Sequence, residues 1–286
     1  MANIAQLRPR SEAEMKKIWA VANQKGGVGK TTTTVTLAGQ LAREGYNTLM
    51  IDLDPHGSLT TYFQLDPDTI DPSVYTLFKN KADRQPPDYG QVIHATAFEH
   101  LWLMPASTAL ATLDRQLGAK AGMGLVIAEA VNDLSEQFDY VLIDCPPMLG
   151  VLMVNALAAC QQLLIPVQTE FLAIKGLERM LHTLTMITRS RGAPLPHLIV
   201  PTMFDRRTRA SSEGLEMLQQ RFADQLWSAV IPIDTQFREA STAAKPLSIW
   251  QPRSRGARAY ATLVDDLLER PRSEHLIETL EGPVAV

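Results

Sequence analysis

Lys25-Gly26-Gly27-Val28-Gly29-Lys30-Thr31-Thr32 is the stretch on which the reading of this chain turns. It follows a short apolar run at residues 17–22 and opens a helical pattern through Leu37, Leu41 and Ala42, which Gly45 closes. A glycine-rich turn between a strand and a helix leaves successive backbone N–H groups free to converge on an anion, and the helix N-terminus adds partial positive charge. At this spacing Gly26, Gly27, Val28 and Gly29 would surround the β-phosphate of ATP or ADP. Lys30 would reach the β/γ-phosphates, the Thr31 hydroxyl would complete an Mg²⁺ shell, and Thr32 would donate to the α-phosphate. Taken in isolation, the glycines read as a flexible turn and Lys25 as a solvated charge. The agreement of strand, loop and helix favours the nucleotide.

Outward from the loop the alternation continues. Further apolar runs fall at 48–51, 100–104, 140–143, 162–167, 197–200 and 228–231, with helical patterns at 107–117, 124–136, 171–189 and 209–223 and a last helix at 257–269. Short, non-alternating, β-branched runs between amphipathic helices predict an α/β fold: a doubly wound, mainly parallel sheet covered by helices on both faces. The organisation expected is a polar extension at 1–16, one P-loop ATPase domain at 17–270 and an acidic tail at 271–286, with loops near 66–72 and 79–89.

Acids stand where two of these runs end: Asp52-Leu53-Asp54-Pro55 and Asp144-Cys145-Pro146-Pro147. Carboxylates at strand ends line the crevice in which open α/β sheets bind ligands, and they can hold Mg²⁺ through water or orient an attacking water. Their alternative reading is helix or turn capping.

The phosphate loop has Gln24 where the common motif has glycine, and a second lysine, Lys25, instead. This variant resembles the deviant Walker A loop of the ParA/MinD superfamily. The resemblance runs from Lys17 to about Glu269 and takes in Ala22-Asn23-Gln24, Asn155-Ala156-Leu157, Pro166 to Glu170 and Pro201 to Asp205. It implies an ATP hydrolase, weak and partner-stimulated, in which Lys25 crosses a homodimer interface to the partner's phosphates. By the same resemblance Lys25, Lys30 and Asp54 are catalytic, with Asp54 positioning the hydrolytic water. Thr31, Asp52 and Asp144 serve Mg²⁺, and Met203, Asp205 and Pro232 border the adenine. Asp54 to Tyr62 and Ile231 to Thr235 are similar to a ParC-like subgroup that positions chemotaxis arrays at the cell pole. Chromosome or plasmid partition is the other cargo implied, each with a stimulating or cargo-adaptor protein.

Charge bears on partners. The net charge of −4 predicts no bulk attraction to nucleic acid or anionic membrane. Between Met203 and Arg258, however, nine Lys/Arg face six Asp/Glu. Arg206, Arg207, Arg209, Arg238, Arg253, Arg255 and Arg258 would form a stripe reading DNA phosphates without sequence preference, or would pair with acids such as Glu213 and Glu239. Ile233-Asp234 replaces an Arg-Asn pair of Soj-like proteins, which weakens the DNA reading. A MinD/FlhG-like membrane regulator would end in a basic amphipathic helix, whereas Ser273 onward holds Glu278 and Glu281 and no lysine or arginine. A P-loop reductase would need cysteines bridging a dimer around an iron–sulfur cluster. Cys145 and Cys160 read more simply as core, in a reducing cytoplasmic compartment, and no constellation suggests a metabolic ATPase's substrate site.

Overall fold

The computed structural model describes residues 17–113, 122–188 and 194–269. The expected extension at 1–16, the tail at 271–286 and part of the helical pattern at 107–117 lie outside the described residues.

Seven strands form one sheet: β1 (Lys17–Val21), β2 (Thr48–Asp52), β3 (His94–Ala95), β4 (Leu101–Met104), β5 (Tyr140–Asp144), β6 (Gln162–Gln168) and β7 (His197–Thr202). Their order is β3-β4-β2-β5-β1-β6-β7, and every pairing is parallel except the edge pair β3–β4. The helices among the described residues are α1 (Lys30–Arg43), α2 (Ser58–Tyr62), α3 (Val74–Ala82), α4 (Tyr89–Val92), α5 (Val126–Asp133), α6 (Val151–Ala159), α7 (Phe171–Thr188), α8 (Arg209–Phe222), α9 (Gln236–Thr242), α10 (Leu247–Trp250) and α11 (Arg255–Leu267).

The non-alternating strands have a direct explanation. Successive side chains of a strand point to opposite faces, and here both faces are buried. In β1, Ala20 belongs to one apolar cluster and Trp19 and Val21 to the other; in β5, Val141 and Ile143 oppose Tyr140 and Leu142. One face is covered by α3, α5, α6 and α7 through residues such as Phe78, Ile127, Met153 and Leu177. The other is covered by α1 and α11 through Leu37, Leu41, Tyr260 and Leu263.

Two expectations need correction. Residues 228–231 form no ladder strand. They run beside β7, touching it through Trp227 N–H to Ile199 O (2.9 Å) and Ile231 N–H to Pro201 O (2.8 Å), with only isolated bridges nearby. Proline has no N–H to donate, so Pro201, whose carbonyl faces this segment, cannot supply the donor that a continuous ladder would need there. The second correction is α3, which occupies 74–82 although 79–89 reads as loop. Ser73 and Thr76 form a capping box at its start, and Val74, Leu77 and Phe78 give it an i, i+3, i+4 buried stripe. The last helix starts at Arg255, two residues earlier than expected, because the Ser254 side chain accepts from Ala257 N–H and caps it.

Candidate functional site

The glycine loop leaves β1 in the interior of the sheet, where its neighbours β5 and β6 lie on either side. Its backbone is held by three contacts. Asn23, almost fully buried, donates from Nδ2 to Pro166 O (2.7 Å) and accepts Lys25 N–H on Oδ1 (2.9 Å). Thr202 Oγ1 donates to Val28 O (2.9 Å), tying the loop to β7. Gly27 and Gly29 have φ of 74° and 94°, the left-handed region that residues bearing a Cβ rarely adopt. A Cβ built at Gly26, Gly27 or Gly29 would meet no atom within 4 Å, so the space beside these glycines is open. The first turn of α1 carries no acid to compete for its positive end. These features fit a phosphate group.

Beside the loop lie two buried carboxyls. Register pairs Asp52 of β2 with Asp144 of β5. Asp144 Oδ2 accepts the Thr31 hydroxyl at 2.7 Å, Thr34 Oγ1 lies 3.4 Å from Oδ1, and the Lys30 charge acts on the same carboxyl. Asp52 accepts Thr60 N–H (2.8 Å), Thr60 Oγ1–H (2.7 Å) and Asp54 N–H (3.1 Å), so this acid also caps the turn into α2. Burial raises the proton affinity of both acids. For Asp52 the nearby Asp144 charge raises it further; for Asp144 the Thr31 hydrogen bond and Lys30 oppose the rise. A divalent cation would reverse that preference and hold both charged. Among the described residues no group of three His, Cys, Asp or Glu side chains converges as a resident metal cage would. Thr31, Asp52 and Asp144 supply a hydroxyl and two carboxyls, the oxygen donors that Mg²⁺ takes.

Asp54 lies just past β2 with its carboxylate mostly buried, and its charge reaches Asp144. Lys25 is held by residues at the end of β6: Nζ donates to Gln168 Oε1 (2.8 Å) and is ion-paired with Glu170. Thr32 sits in the first turn of α1.

Met203, Asp205 and Pro232 are brought together because residues 204 and 232 bridge: Phe204 N–H donates to Ile231 O and Ile233 N–H to Phe204 O, each at 3.0 Å. Met203 has a left-handed φ of 54°. Gln168 Nε2 lies 2.9 Å from Met203 Sδ and 3.4 Å from Gly27 O, joining this edge to the glycine loop. Asp205 is gripped by Arg207, from Nε (3.0 Å) and a terminal nitrogen (2.9 Å), and its pKa falls to about 2. Sequence reasoning assigned no role to Asn23, Gln168, Thr202 or Glu170, all inside or beside the family-like stretches. Their partners lie far along the chain, and no local spacing signals them.

Of the seven arginines, Arg207 pairs with Asp205 and Arg209 with Glu213 (2.6 Å), while Arg255 reaches Ile233 O at 3.4 Å. For Arg206, Arg238, Arg253 and Arg258 the described residues supply no ion-pair partner, and the expected pairing to Glu239 is not among them. Cys145 and Cys160 are both buried, as a core reading requires.

An AAA-domain family model matches residues 15–195. The sporulation initiation inhibitor protein Soj of Bacillus subtilis is 35% identical over 254 residues, covering 88% of this chain and 98% of Soj. The chain belongs to the ParA/Soj family of P-loop ATPases. A second relative, the chromosome partitioning protein ParA of Myxococcus xanthus, is 32% identical over 91% of each chain. Among solved structures, cobyrinic acid a,c-diamide synthase from Mycobacterium smegmatis with bound ADP and magnesium is 32% identical, with a TM-score of 0.76 over 89% of this chain and 95% of that one. As a family ATPase, the chain carries its loop and acids at the strand ends where α/β sheets hold ligands. No helix of the described residues is long and apolar enough to cross a membrane.

Proposed function

We propose that this ParA/Soj-family ATPase is a nucleotide switch: residues 17–270 bind Mg²⁺·ATP, dimerise, hydrolyse slowly and thereby position a cellular cargo. The observation that carries the reading is the Thr31–Asp144 hydrogen bond beside an open glycine loop at the N-terminus of α1. Backbone N–H groups of residues 26–32 bind the phosphates, and Lys30 neutralises the charge that builds on them. Thr31, Asp52 and Asp144 hold Mg²⁺, which when bound screens phosphate charge. Asp54 orients water, and the edge formed by Met203, Asp205 and Pro232 borders the base.

Dimerisation is supported by what surrounds Lys25. Met148 and Leu149 after β5 and Phe171 and Leu172 after β6 are exposed apolar side chains at the same end of the sheet. Large apolar groups clustered near a charged site mark a surface that meets a partner. Lys25 would exchange Glu170 for the phosphates bound by the second subunit. Light scattering tests this: Asp54→Ala with ATP should accumulate as a dimer, and the further change Lys25→Ala should return it to monomer. A strictly monomeric Asp54→Ala chain would refute the switch.

The cargo follows from partners. Transient, nonspecific DNA binding in the cytoplasm is favoured by Arg206, Arg238, Arg253 and Arg258, which no described carboxylate neutralises. An adaptor protein would then link the dimer to a partitioned replicon or to a polar chemotaxis array. Loss of focal positioning of one of these on deletion of the chain identifies which.

A further inference from the structure

Asp54 has one neighbour that neither the strand-end acids nor the phosphate loop accounts for. His56 Nδ1 lies 2.8 Å from Asp54 Oδ1, and the same oxygen accepts the His56 backbone N–H at 3.0 Å. The His56 side chain is 79% exposed, whereas that of Asp54 is 12% exposed. An exposed imidazole thus reaches inward to a nearly buried carboxylate.

The backbone fixes this arrangement. Gly57 N–H donates to Asp54 O (2.8 Å), closing a turn with Pro55 at its second position, and α2 follows at once. With its backbone set, the imidazole needs only its own two torsions to meet Oδ1. A carboxylate offers no proton, so Nδ1 carries the hydrogen. Two donors thus converge on Oδ1, which has two lone pairs to accept them, and they restrain rotation of the carboxylate. Among the described residues Oδ2 has no hydrogen-bond partner, and it is the oxygen left to accept from water.

We infer that His56 is a positioning residue for hydrolysis: it holds the Asp54 carboxylate so that Oδ2 alone addresses the attacking water. The inference rests on the reading of Asp54 as the water-orienting acid. Orientation of a reacting group is worth large factors in rate while leaving ground-state binding untouched. Because the imidazole is mostly in solvent, its removal leaves the core intact.

The test is phosphate release from ATP by the full chain, with His56→Ala, His56→Asn, Asp54→Asn and the double variant Asp54→Asn/His56→Ala. Asparagine places an N–H donor the same number of bonds from the backbone as Nδ1 and lacks the ring. His56→Ala should lower kcat about tenfold with KM for ATP within about twofold, and His56→Asn should recover most of the loss. The double variant should be no slower than Asp54→Asn, because His56 acts only through that carboxylate. Turnover by His56→Ala within about twofold of the natural chain, or an undiminished His56→Ala effect in the Asp54→Asn background, would overturn the inference. An Asp54→Asn chain that turns over normally removes the assignment of Asp54 itself, and the role of His56 with it.

Discussion

Lys30 and Lys25 are the same residue type five positions apart, yet their surroundings give them different work. Lys30 opens α1 and acts on the Asp144 carboxyl, so its charge belongs to the phosphate site. Lys30→Ala should weaken ATP binding roughly a hundredfold or more in a fluorescent-nucleotide titration, the loss expected for a charge-assisted contact. Lys25→Ala should leave ATP binding by the monomer nearly unchanged. The buried acids make a pH prediction. Their pKa values are raised by burial, so the folded, nucleotide-free chain keeps protons that the unfolded chain has released. The resulting stability is full below the ordinary carboxylate value of 3.8 and is lost as pH rises through the raised folded values. The thermal midpoint of the nucleotide-free protein should therefore fall as pH climbs into the neutral range, and Asp52→Asn should flatten that fall.

Helix α11 stands against α1 across one face of the sheet, joined to it by the 2.7 Å contact of the Tyr260 hydroxyl with Thr33 Oγ1. Leu263 and Val264 are fully buried in the same cluster. Leu263→Ala should cost about 2–5 kcal/mol in urea unfolding, the usual range for a truncated core leucine. Tyr260→Phe leaves a buried hydroxyl unpaired at Thr33 and should cost about 1–3 kcal/mol. Because α1 begins at the phosphate loop, either change should also be partly offset by ATP, which stabilises whichever form binds it. Helix α3 belongs to this scale too. Its capping box uses Thr76 where the sequence signature has Glu or Gln, and the polar run from Lys79 onward hides the helix end in the sequence.

Across the whole molecule, a chain of net charge −4 presents a C-terminal surface on which some arginines are neutralised and others are not. That difference predicts unequal effects on DNA binding. Arg253→Ala and Arg258→Ala should each flatten the dependence of log K on log salt by about 0.9, one phosphate contact apiece. Arg209→Ala should change it little, since its charge is already paired with Glu213. Filter binding with ATP at several salt concentrations measures both.

The nucleotide loop and the alternation of strand and helix were legible in the residues themselves, because both depend on local backbone needs: glycine at positive φ, apolar runs buried on two faces, a helix opening on an anion site. The seam at 228–231 reads as a strand by composition, but Pro201 on the facing edge of β7 withholds a ladder donor and only isolated bridges form beside it. Strand order is not written in any local spacing. It is the sheet order that sets Asp52 beside Asp144, where burial raises the proton affinity of both and the Asp144 charge raises that of Asp52 further. It likewise brings Lys25 to Glu170, 145 residues away, whereas Arg209 is neutralised locally by Glu213 one helical turn on. Sequence determined that a phosphate would be bound. The tertiary structure decided the surroundings of Lys25 and of the two strand-end acids, because those contacts depend on distances that the chain closes only when the sheet is assembled.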